Sequence, residues 1–156
     1  MKIETGKPAP DFSLFDTDKK KVNLTDFNDK NVLLLFFPQA FTSTCTKELC
    51  AVRDDISRYS NANAQVIGIS VDSVFTLKKY KEDQQYNFPF LSDFNKDVSI
   101  LYGTLYNEWI LEMKGVSKRS AFIIDKNGVI QYAEVLEKAG DLPDFMAINQ
   151  VLESLK

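Results

Sequence analysis

The chain has 156 residues, of which 44% are hydrophobic and 26% are charged. These values are ordinary for a globular protein and exclude the disordered and fibrous classes, and the length predicts one domain over residues 1–156. The net charge is -3 with both signs intermingled, so no basic stripe is available to follow a nucleic acid backbone. The longest apolar run, residues 32–37, is too short to cross a bilayer, and the N-terminus lacks the apolar stretch of a signal peptide. We expect a cytosolic protein that binds neither nucleic acid nor a membrane.

The first part of the chain predicts a hairpin, a buried strand and a helix. The segments DFSLFD (11–16) and KKVNL (20–24) are typical of a small N-terminal β-hairpin. The run NVLLLFF (31–37) is apolar on both faces and stops at Pro38, which favours a central strand covered on both sides. A helix is predicted from residue 42 to about residue 60 because its apolar positions form one stripe: Cys45, Leu49, Val52, Ile56 and Tyr59.

The rest of the chain completes an α/β pattern. The predicted elements are a strand at 65–71, a helix at 73–84, a short extended piece at 88–93, a short helix at 97–102, a hairpin with strands at 120–125 and 129–135, and a helix at about 143–155. A βαβ unit followed by a hairpin and a helix is the thioredoxin arrangement. The predicted fold is therefore thioredoxin-like α/β, a mixed central sheet flanked by helices, with an N-terminal β-hairpin.

Both cysteines lie in the segment PQAFTSTCTKELC, residues 38–50. In a reducing compartment, two nearby cysteines are more typical of a metal or redox site than of a structural disulfide. The chain contains no histidine, so a Cys-His hydrolase mechanism is excluded, and two thiols alone do not complete a four-ligand structural zinc site. Redox chemistry remains.

Cys45 falls in the first turn of the predicted helix, with Thr42, Ser43 or Thr44 as the N-cap. Unpaired N–H groups and the helix dipole at this end favour an anion such as a thiolate, although a cysteine that only fills the core remains the alternative. An ordinary thiol is already about 3% ionised at pH 7, so complete ionisation gains only about 30-fold in rate. A fast thiol enzyme must therefore also stabilise the charge that develops on a leaving oxygen, using positioned donors.

Cys50 lies five residues beyond Cys45. In an ideal helix the two Cα atoms are about 8.6 Å apart, beyond the usual range for a disulfide, so pairing requires the start of the helix to unwind. If the two cysteines pair, the redox state is coupled to local unfolding; otherwise Cys50 is a half-buried thiol without a role. The spacing also differs from the C-x-x-C motif, which disfavours a general disulfide oxidoreductase.

Pro38, Thr42 and Cys45 form the pattern P-x-x-x-T-x-x-C, and with it the chain resembles the peroxiredoxins. The resemblance extends over most of the chain, through GKPAPDFSL, FPFLSD, LYG and RSAFIIDKNGVI. It implies a thiol peroxidase without metal, haem or flavin, an antioxidant oxidoreductase that reduces hydrogen peroxide and organic hydroperoxides.

The resemblance also implies roles for individual residues. Cys45 is expected to attack the peroxide and become a sulfenic acid. Thr42 is expected to bind the peroxide oxygen, and Pro38 to shelter the thiolate. Arg119 matches the family's active-site arginine and is expected to stabilise the thiolate and polarise the peroxide. Glu48 stands where the family has a glutamate that orients arginines, although the position also suits an exposed acid of the first helical turn.

Two branches of the family compete over Cys50. The body of the chain resembles the alkyl hydroperoxide reductase E branch, where an acidic residue usually occupies this position. A cysteine here instead resembles the bacterioferritin comigratory protein or Q-type branch, where it is the resolving cysteine. With Cys50 active, an intramolecular disulfide forms and a thioredoxin-like donor reduces it; without it, an external thiol resolves the sulfenic acid.

Two other functional classes remain open from the sequence. A stoichiometric peroxide sensor uses the same oxidation without turnover, and a non-catalytic scaffold uses Cys45 for packing. Trp109, the only tryptophan, is either a core or interface aromatic or a wall of the peroxide pocket. The expected partners are a peroxide and a thiol reductant, with the chain a monomer or a homodimer.

Overall fold

A seven-stranded sheet forms the centre of the computed structural model, which describes residues 3–156. The strands are β1 (Ser13–Asp16), β2 (Lys21–Asn23), β3 (Asn31–Phe36), β4 (Ala64–Ser70), β5 (Phe90–Ser92), β6 (Ser120–Ile124) and β7 (Ile130–Val135). Their spatial order is β2-β1-β5-β4-β3-β6-β7. The strands β3, β4 and β5 are parallel, whereas β6 and β1 pair antiparallel with β3 and β5 respectively. This mixed sheet confirms the predicted thioredoxin-like fold and its N-terminal hairpin.

Five α-helices flank the described sheet: α1 (Ser43–Asp54), α2 (Ile56–Asn61), α3 (Val74–Gln84), α4 (Asp97–Leu101) and α5 (Phe145–Ser154). Two 3₁₀ segments, Leu24–Phe27 and Ile110–Glu112, were not expected from the sequence. The extended piece predicted at 88–93 contains β5, which joins the N-terminal hairpin to the rest of the sheet.

The alternating side chains of β3 supply both halves of the core. Leu33 and Leu35 face a cluster that includes side chains of α1, α3 and α5. Leu34 and Phe36 face the opposite cluster, which contains Tyr102 and Phe122. All six residues of β3 are buried, as expected for a strand covered on both faces. Truncating one of these leucines to alanine costs about 2–5 kcal/mol of stability.

The prediction of a single helix from residue 42 to about residue 60 is wrong, because Asp55 interrupts it and separates α1 from α2. The backbone of Asp55 is non-helical, with φ -115° and ψ 24°, and its N–H donates to Val52 in a tightened last turn. Its side chain makes no cap hydrogen bond to the backbone of α2 and pairs with the Arg58 side chain instead. Its carbonyl oxygen accepts from the Arg58 N–H at 3.1 Å, and a new turn begins there. The apolar stripe nevertheless survives the break, with Tyr59 buried and Ile56 packed against the core.

Candidate active site

The carboxyl end of β3 leads directly into α1, and this junction positions the first cysteine. Pro38 is buried just beyond β3, Phe41 has a left-handed backbone with φ 67°, and Thr42 returns to an extended conformation before α1 begins at Ser43. Cys45 is therefore the third residue of α1, in the turn whose N–H groups lack intrahelical partners. Its thiol is buried, with the residue only 1% exposed.

Thr42 is the N-cap residue of α1, which was one of the three candidates that the sequence offered. Its hydroxyl makes no cap hydrogen bond. The hydroxyl instead donates to the carbonyl oxygen of Gln39 at 2.8 Å. Its proton is thereby engaged within the loop and its lone pairs remain free, so toward a peroxide O–H the hydroxyl serves as an acceptor. The N–H groups of the first turn are left as the donors.

A hydrogen bond to the Asp72 carboxylate holds the loop between β3 and α1. Its Oδ2 accepts from the Ala40 N–H at 2.8 Å and from the Ser70 hydroxyl at 2.6 Å. Burial raises the pKa of this carboxyl, against the opposing effect of its hydrogen bonds. Nothing in the sequence singled out Asp72, because its role depends on where β4 ends relative to β3.

Arg119 reaches Cys45 because of the sheet register. Ser120, the first residue of β6, pairs with Phe36 at the end of β3, so Arg119 emerges beside the segment that leads into α1. Its Nη2 donates to the Cys45 sulfur at 3.3 Å, and its Nη1 donates to Glu48 Oε1 at 2.7 Å. The carbonyl oxygen of Ala139 accepts from its Nε at 3.3 Å and from its Nη2 at 2.9 Å. The guanidinium is thus held on several sides while it faces the sulfur.

Glu48 is buried, which overturns the alternative that it is an exposed acid. Burial raises the pKa of Glu48 to about 7, although the charge and hydrogen bond of Arg119 act in the opposite direction. Its Oε2 has no hydrogen-bond partner among the described side chains and backbone. For Arg119, burial alone lowers the pKa, but the charges of Glu48 and Cys45 and hydrogen bonds to both outweigh it and raise the pKa above its ordinary value. One cation therefore faces two groups that can each become an anion.

A cleft of about 430 Å³ opens over this site. Its lining residues are Thr42, Ser43, Thr44, Tyr106, Trp109, Ile110, Arg119, Glu137, Ala139 and Gly140. Cys45 is not among them, but Arg119, which contacts its sulfur, is. Trp109 stacks on Tyr106, with ring centroids 6.3 Å apart, and is both a half-buried aromatic and a wall of the cleft.

Cys50 lies on another side of α1, and both cysteines are free thiols. Cys50 is half-buried and donates to Gln84 Oε1 at 3.4 Å and to the Tyr86 hydroxyl at 3.8 Å. Of the six residues that the sequence singled out, the structure brings Cys45, Arg119 and Glu48 into contact and sets Thr42 and Pro38 in the adjoining loop. Cys50 is directed elsewhere.

The sequence did not indicate the carbonyl of Ala139, which holds Arg119, or Tyr106 and Glu137, which line the cleft. A backbone carbonyl carries no signal in the amino-acid sequence, and residues 137–140 meet the site only through the path of the chain after β7. Within residues 3–156 no cluster of three or more metal-ligating side chains occurs. No helix of that part of the chain is long and apolar enough to cross a membrane.

A thioredoxin-like sheet that places a buried thiol at a helix N-terminus, in contact with a buried arginine, defines a peroxiredoxin, an oxidoreductase that reduces peroxides with a thiol. The model of the AhpC/TSA family matches residues 5–133. The chain is 37% identical over 156 residues to alkyl hydroperoxide reductase E of Mycobacterium tuberculosis, covering 98% of both. It therefore belongs to the AhpC/TSA family.

Two further comparisons agree with this family assignment. The chain is 36% identical over 138 residues to the chloroplastic peroxiredoxin Q of Oryza sativa subsp. japonica, covering 84% of this chain and 58% of that protein. Among solved structures, the peroxidoxin BcpB of Mycobacterium tuberculosis superposes with a TM-score of 0.87 at 28% identity, covering 99% of both chains. Both branches that the sequence resembles are thus represented among its relatives.

Proposed function

We propose that this protein reduces hydrogen peroxide and small organic hydroperoxides through Cys45, and that Cys50 then resolves the oxidised cysteine. The contact between Arg119 Nη2 and the Cys45 sulfur, at 3.3 Å, is the observation that carries the first step. It places a buried positive charge against the thiol at the end of a helix where N–H groups are unpaired, and both features favour a thiolate.

In the first step the Cys45 thiolate attacks one peroxide oxygen. A sulfur–oxygen bond forms, the O–O bond breaks, and the leaving oxygen takes a proton to become water or an alcohol, so that Cys45 becomes a sulfenic acid. Negative charge moves from the sulfur to the leaving oxygen during this step. Arg119 and the first-turn N–H groups stabilise that charge, Thr42 orients the peroxide by accepting its O–H, and Pro38 keeps water from the sulfur.

In this proposal Glu48 is a positioning residue. Its Oε1 holds Nη1 of Arg119, and the Ala139 carbonyl holds Nε, so that Nη2 remains aimed at the sulfur. The charged hydrogen bond between two buried partners fixes the guanidinium more firmly than a solvent-exposed pair does.

In the second step the Cys50 thiol attacks the sulfenic sulfur, a disulfide forms and water leaves. A thioredoxin-like or other dithiol reductant then returns both cysteines to thiols, which suits the reducing cytosol. The alternative is a one-cysteine cycle, in which an external thiol attacks the sulfenic acid and Cys50 takes no part.

Intact mass under denaturing conditions separates these cycles. The reduced protein is treated with one equivalent of hydrogen peroxide, and free thiols and sulfenic acids are then trapped, in wild type, Cys50→Ser and Cys45→Ser. We expect a wild-type product two hydrogens lighter with no free thiol, a sulfenic acid adduct in Cys50→Ser, and no oxidation at this dose in Cys45→Ser. A sulfenic acid that persists in wild type means one-cysteine chemistry, and oxidation of Cys45→Ser contradicts the role of Cys45.

A further inference from the structure

The segment that follows β7 supplies the carbonyl that holds Arg119, and its backbone is irregular. Residues 137–142 lie outside every helix and strand, and all of them except Ala139 are exposed. The Asp141 N–H donates to the Lys138 carbonyl at 3.0 Å, which closes a turn within the segment but does not tie the segment to the site. Exposed irregular segments of this kind are mobile unless contacts with the rest of the fold hold them.

Tyr106 connects this segment to the chain that leads into β6. Its hydroxyl donates to the carbonyl oxygen of Glu137 at 2.8 Å, two residues before the Ala139 carbonyl. Its backbone N–H donates to the carbonyl of Val116 at 2.8 Å, shortly before β6 begins. Tyr106 therefore bridges the segment before β6, which ends at Arg119, and the segment after β7.

The Tyr106 side chain is well suited to be a fixed donor. It is buried, and its ring stacks on Trp109. Burial and the charge of Glu137 raise the pKa of Tyr106 above its ordinary value of 10, against the opposing charge of Arg119, so the hydroxyl keeps its proton at neutral pH. Lys118 also pairs with the Glu137 carboxylate at 2.8 Å, but that carboxylate is 77% exposed and such a pair holds weakly.

The Ala139 carbonyl binds the same guanidinium nitrogen that faces the thiol. Nη2 of Arg119 donates to the Cys45 sulfur at 3.3 Å and to the Ala139 carbonyl at 2.9 Å, and Nε donates to that carbonyl at 3.3 Å. Glu48, by contrast, holds Nη1. A displacement of the Ala139 carbonyl therefore moves Nη2 relative to the sulfur even when the bond to Glu48 remains, and reaction rates are sensitive to such displacements.

We propose that the Tyr106 hydroxyl is a positioning group for the reaction of Cys45 with peroxide. By holding the Glu137 carbonyl it fixes the Ala139 carbonyl, which in turn keeps Nη2 of Arg119 on the sulfur. This inference rests on the proposed peroxidase reaction and adds a residue that acts on it through the guanidinium. Tyr106 thus has two parts with different roles: the ring forms a wall of the cleft, and the hydroxyl holds the segment after β7.

Two single substitutions separate positioning from general stability. Tyr106→Phe removes only the hydroxyl and keeps the ring that stacks on Trp109. Tyr102→Phe is the matched control, because its buried hydroxyl also donates to a backbone carbonyl, that of Pro10 at 2.6 Å, in the other core cluster. Each substitution is made in wild type and in Arg119→Ala, and urea unfolding shows how much each hydroxyl contributes to global stability.

The measurement is the rate at which hydrogen peroxide consumes the Cys45 thiol, followed by quenched flow with thiol trapping and intact mass at a series of pH values. It reports the first oxidation alone, whether or not Cys50 resolves it. We expect Tyr106→Phe to slow this step about three- to tenfold, the factor that one hydrogen bond supplies. The rising limb of the rate–pH profile should also move to higher pH, because the cation that favours the thiolate is held less closely.

The double-mutant cycle tests whether the hydroxyl acts through the guanidinium. In the Arg119→Ala background, Tyr106→Phe should change the rate by less than about twofold, because no guanidinium remains to be positioned. Tyr102→Phe should leave both the rate and the pH profile of wild type unchanged.

Oxidation of Tyr106→Phe at the wild-type rate overturns the proposal, and so does an unmoved pH profile. A loss of the same size in the Arg119→Ala background, or in Tyr102→Phe, also overturns it, because the hydroxyl then contributes only to general stability. A wild type whose Cys45 does not react with hydrogen peroxide is a separate failure, that of the proposed peroxidase, and it removes the basis of this inference before any Tyr106 variant is compared.

Discussion

At the scale of single residues, the proposed chemistry depends on the contact between Arg119 and Cys45. Desolvating a guanidinium is costly, and here Glu48 and the Ala139 carbonyl offset that cost while leaving Nη2 on the sulfur. The charge is therefore already in place when the O–O bond breaks, so no reorganisation is needed at that moment.

Arg119→Ala should slow the reaction of Cys45 with hydrogen peroxide by more than about 30-fold. A factor of 30 is the most that thiolate fraction alone explains at pH 7, and the excess measures the lost stabilisation of the leaving oxygen. Stopped-flow fluorescence of Trp109, which lines the cleft, gives the second-order rate constant. Arg58→Ala, at an exposed arginine paired with Asp55, is the control; a loss within 30-fold that tracks thiolate fraction contradicts the argument.

Thr42→Val should slow the same step by at least about tenfold, because the variant removes the hydroxyl that we propose accepts from the peroxide and the bond to Gln39 that fixes it. Thr42→Ser keeps the hydroxyl and should remain within about threefold of wild type in the same stopped-flow measurement. If valine and serine behave alike, the hydroxyl has no part in binding the peroxide.

At the scale of elements, the junction between β3 and α1 determines where the thiol lies. The junction contains a residue with positive φ, Phe41, whose exposed ring packs 4.9 Å from Tyr80. Asp72, from the end of β4, ties the same junction to the neighbouring parallel strand through Ala40. A strained turn of this kind persists only because its surroundings hold it.

Asp72→Ala should lower the free energy of unfolding by about 1–3 kcal/mol, since the buried Ala40 N–H and Ser70 hydroxyl lose their acceptor. It should also slow the peroxide step, because the loop that carries Thr42 is released. Urea unfolding and stopped flow measure the two effects. Asp55→Ala, which removes an exposed ion pair, should change stability by less than about 1 kcal/mol; equal effects of the two variants would argue against the anchoring role.

Most elements were predictable because their signals are local. The apolar run of β3, the stripe of α1 and the KNG turn before β7 each determine an element within a few residues, and the structure contains all three. The break at Asp55 was missed because the apolar stripe continues across it in register. The membership of β5 in the sheet was missed because three residues carry too little periodicity to tell a strand from an extended loop.

In the candidate site too, some residues have local sequence signals and others depend on contacts between distant segments. The sequence predicted Cys45 as a reactive thiol because its residue type and its position at a helix start coincide. Arg119 was identified only through the family resemblance, since in sequence it is a loop cation 74 residues away from Cys45. The burial of Glu48, the Ala139 carbonyl and the anchor at Asp72 depend on packing between distant segments. No local pattern encodes those contacts.

At the scale of the whole molecule, a buried ionisable group links stability to pH. The pKa of Glu48 is about 7 in the folded protein, above its ordinary value of 4.5. The folded state therefore retains a proton that the unfolded chain releases between these pH values. The stabilisation is complete below pH 4.5 and is lost as the pH rises to about 7.

The free energy of unfolding should accordingly fall by on the order of 3 kcal/mol more in wild type than in Glu48→Gln between pH 4.5 and 7.5. The difference between the two proteins isolates Glu48, because Asp72, whose pKa is also raised, is present in both. Urea titrations across this range give both curves. Parallel curves would mean that Glu48 is ionised in the folded protein throughout the range.

Sustained consumption of hydrogen peroxide shows whether Cys45 acts as a catalytic thiol. Wild type, Cys45→Ser and Cys50→Ser are each given excess peroxide with a dithiol reductant, and peroxide loss is followed against a blank without protein. We predict that wild type consumes many equivalents of peroxide and that Cys45→Ser consumes none above the blank. In the proposed cycle both cysteines are needed for full turnover. Appreciable turnover by Cys45→Ser, or a wild type that stops after one equivalent, would contradict the account of this protein as a peroxidase that acts through Cys45.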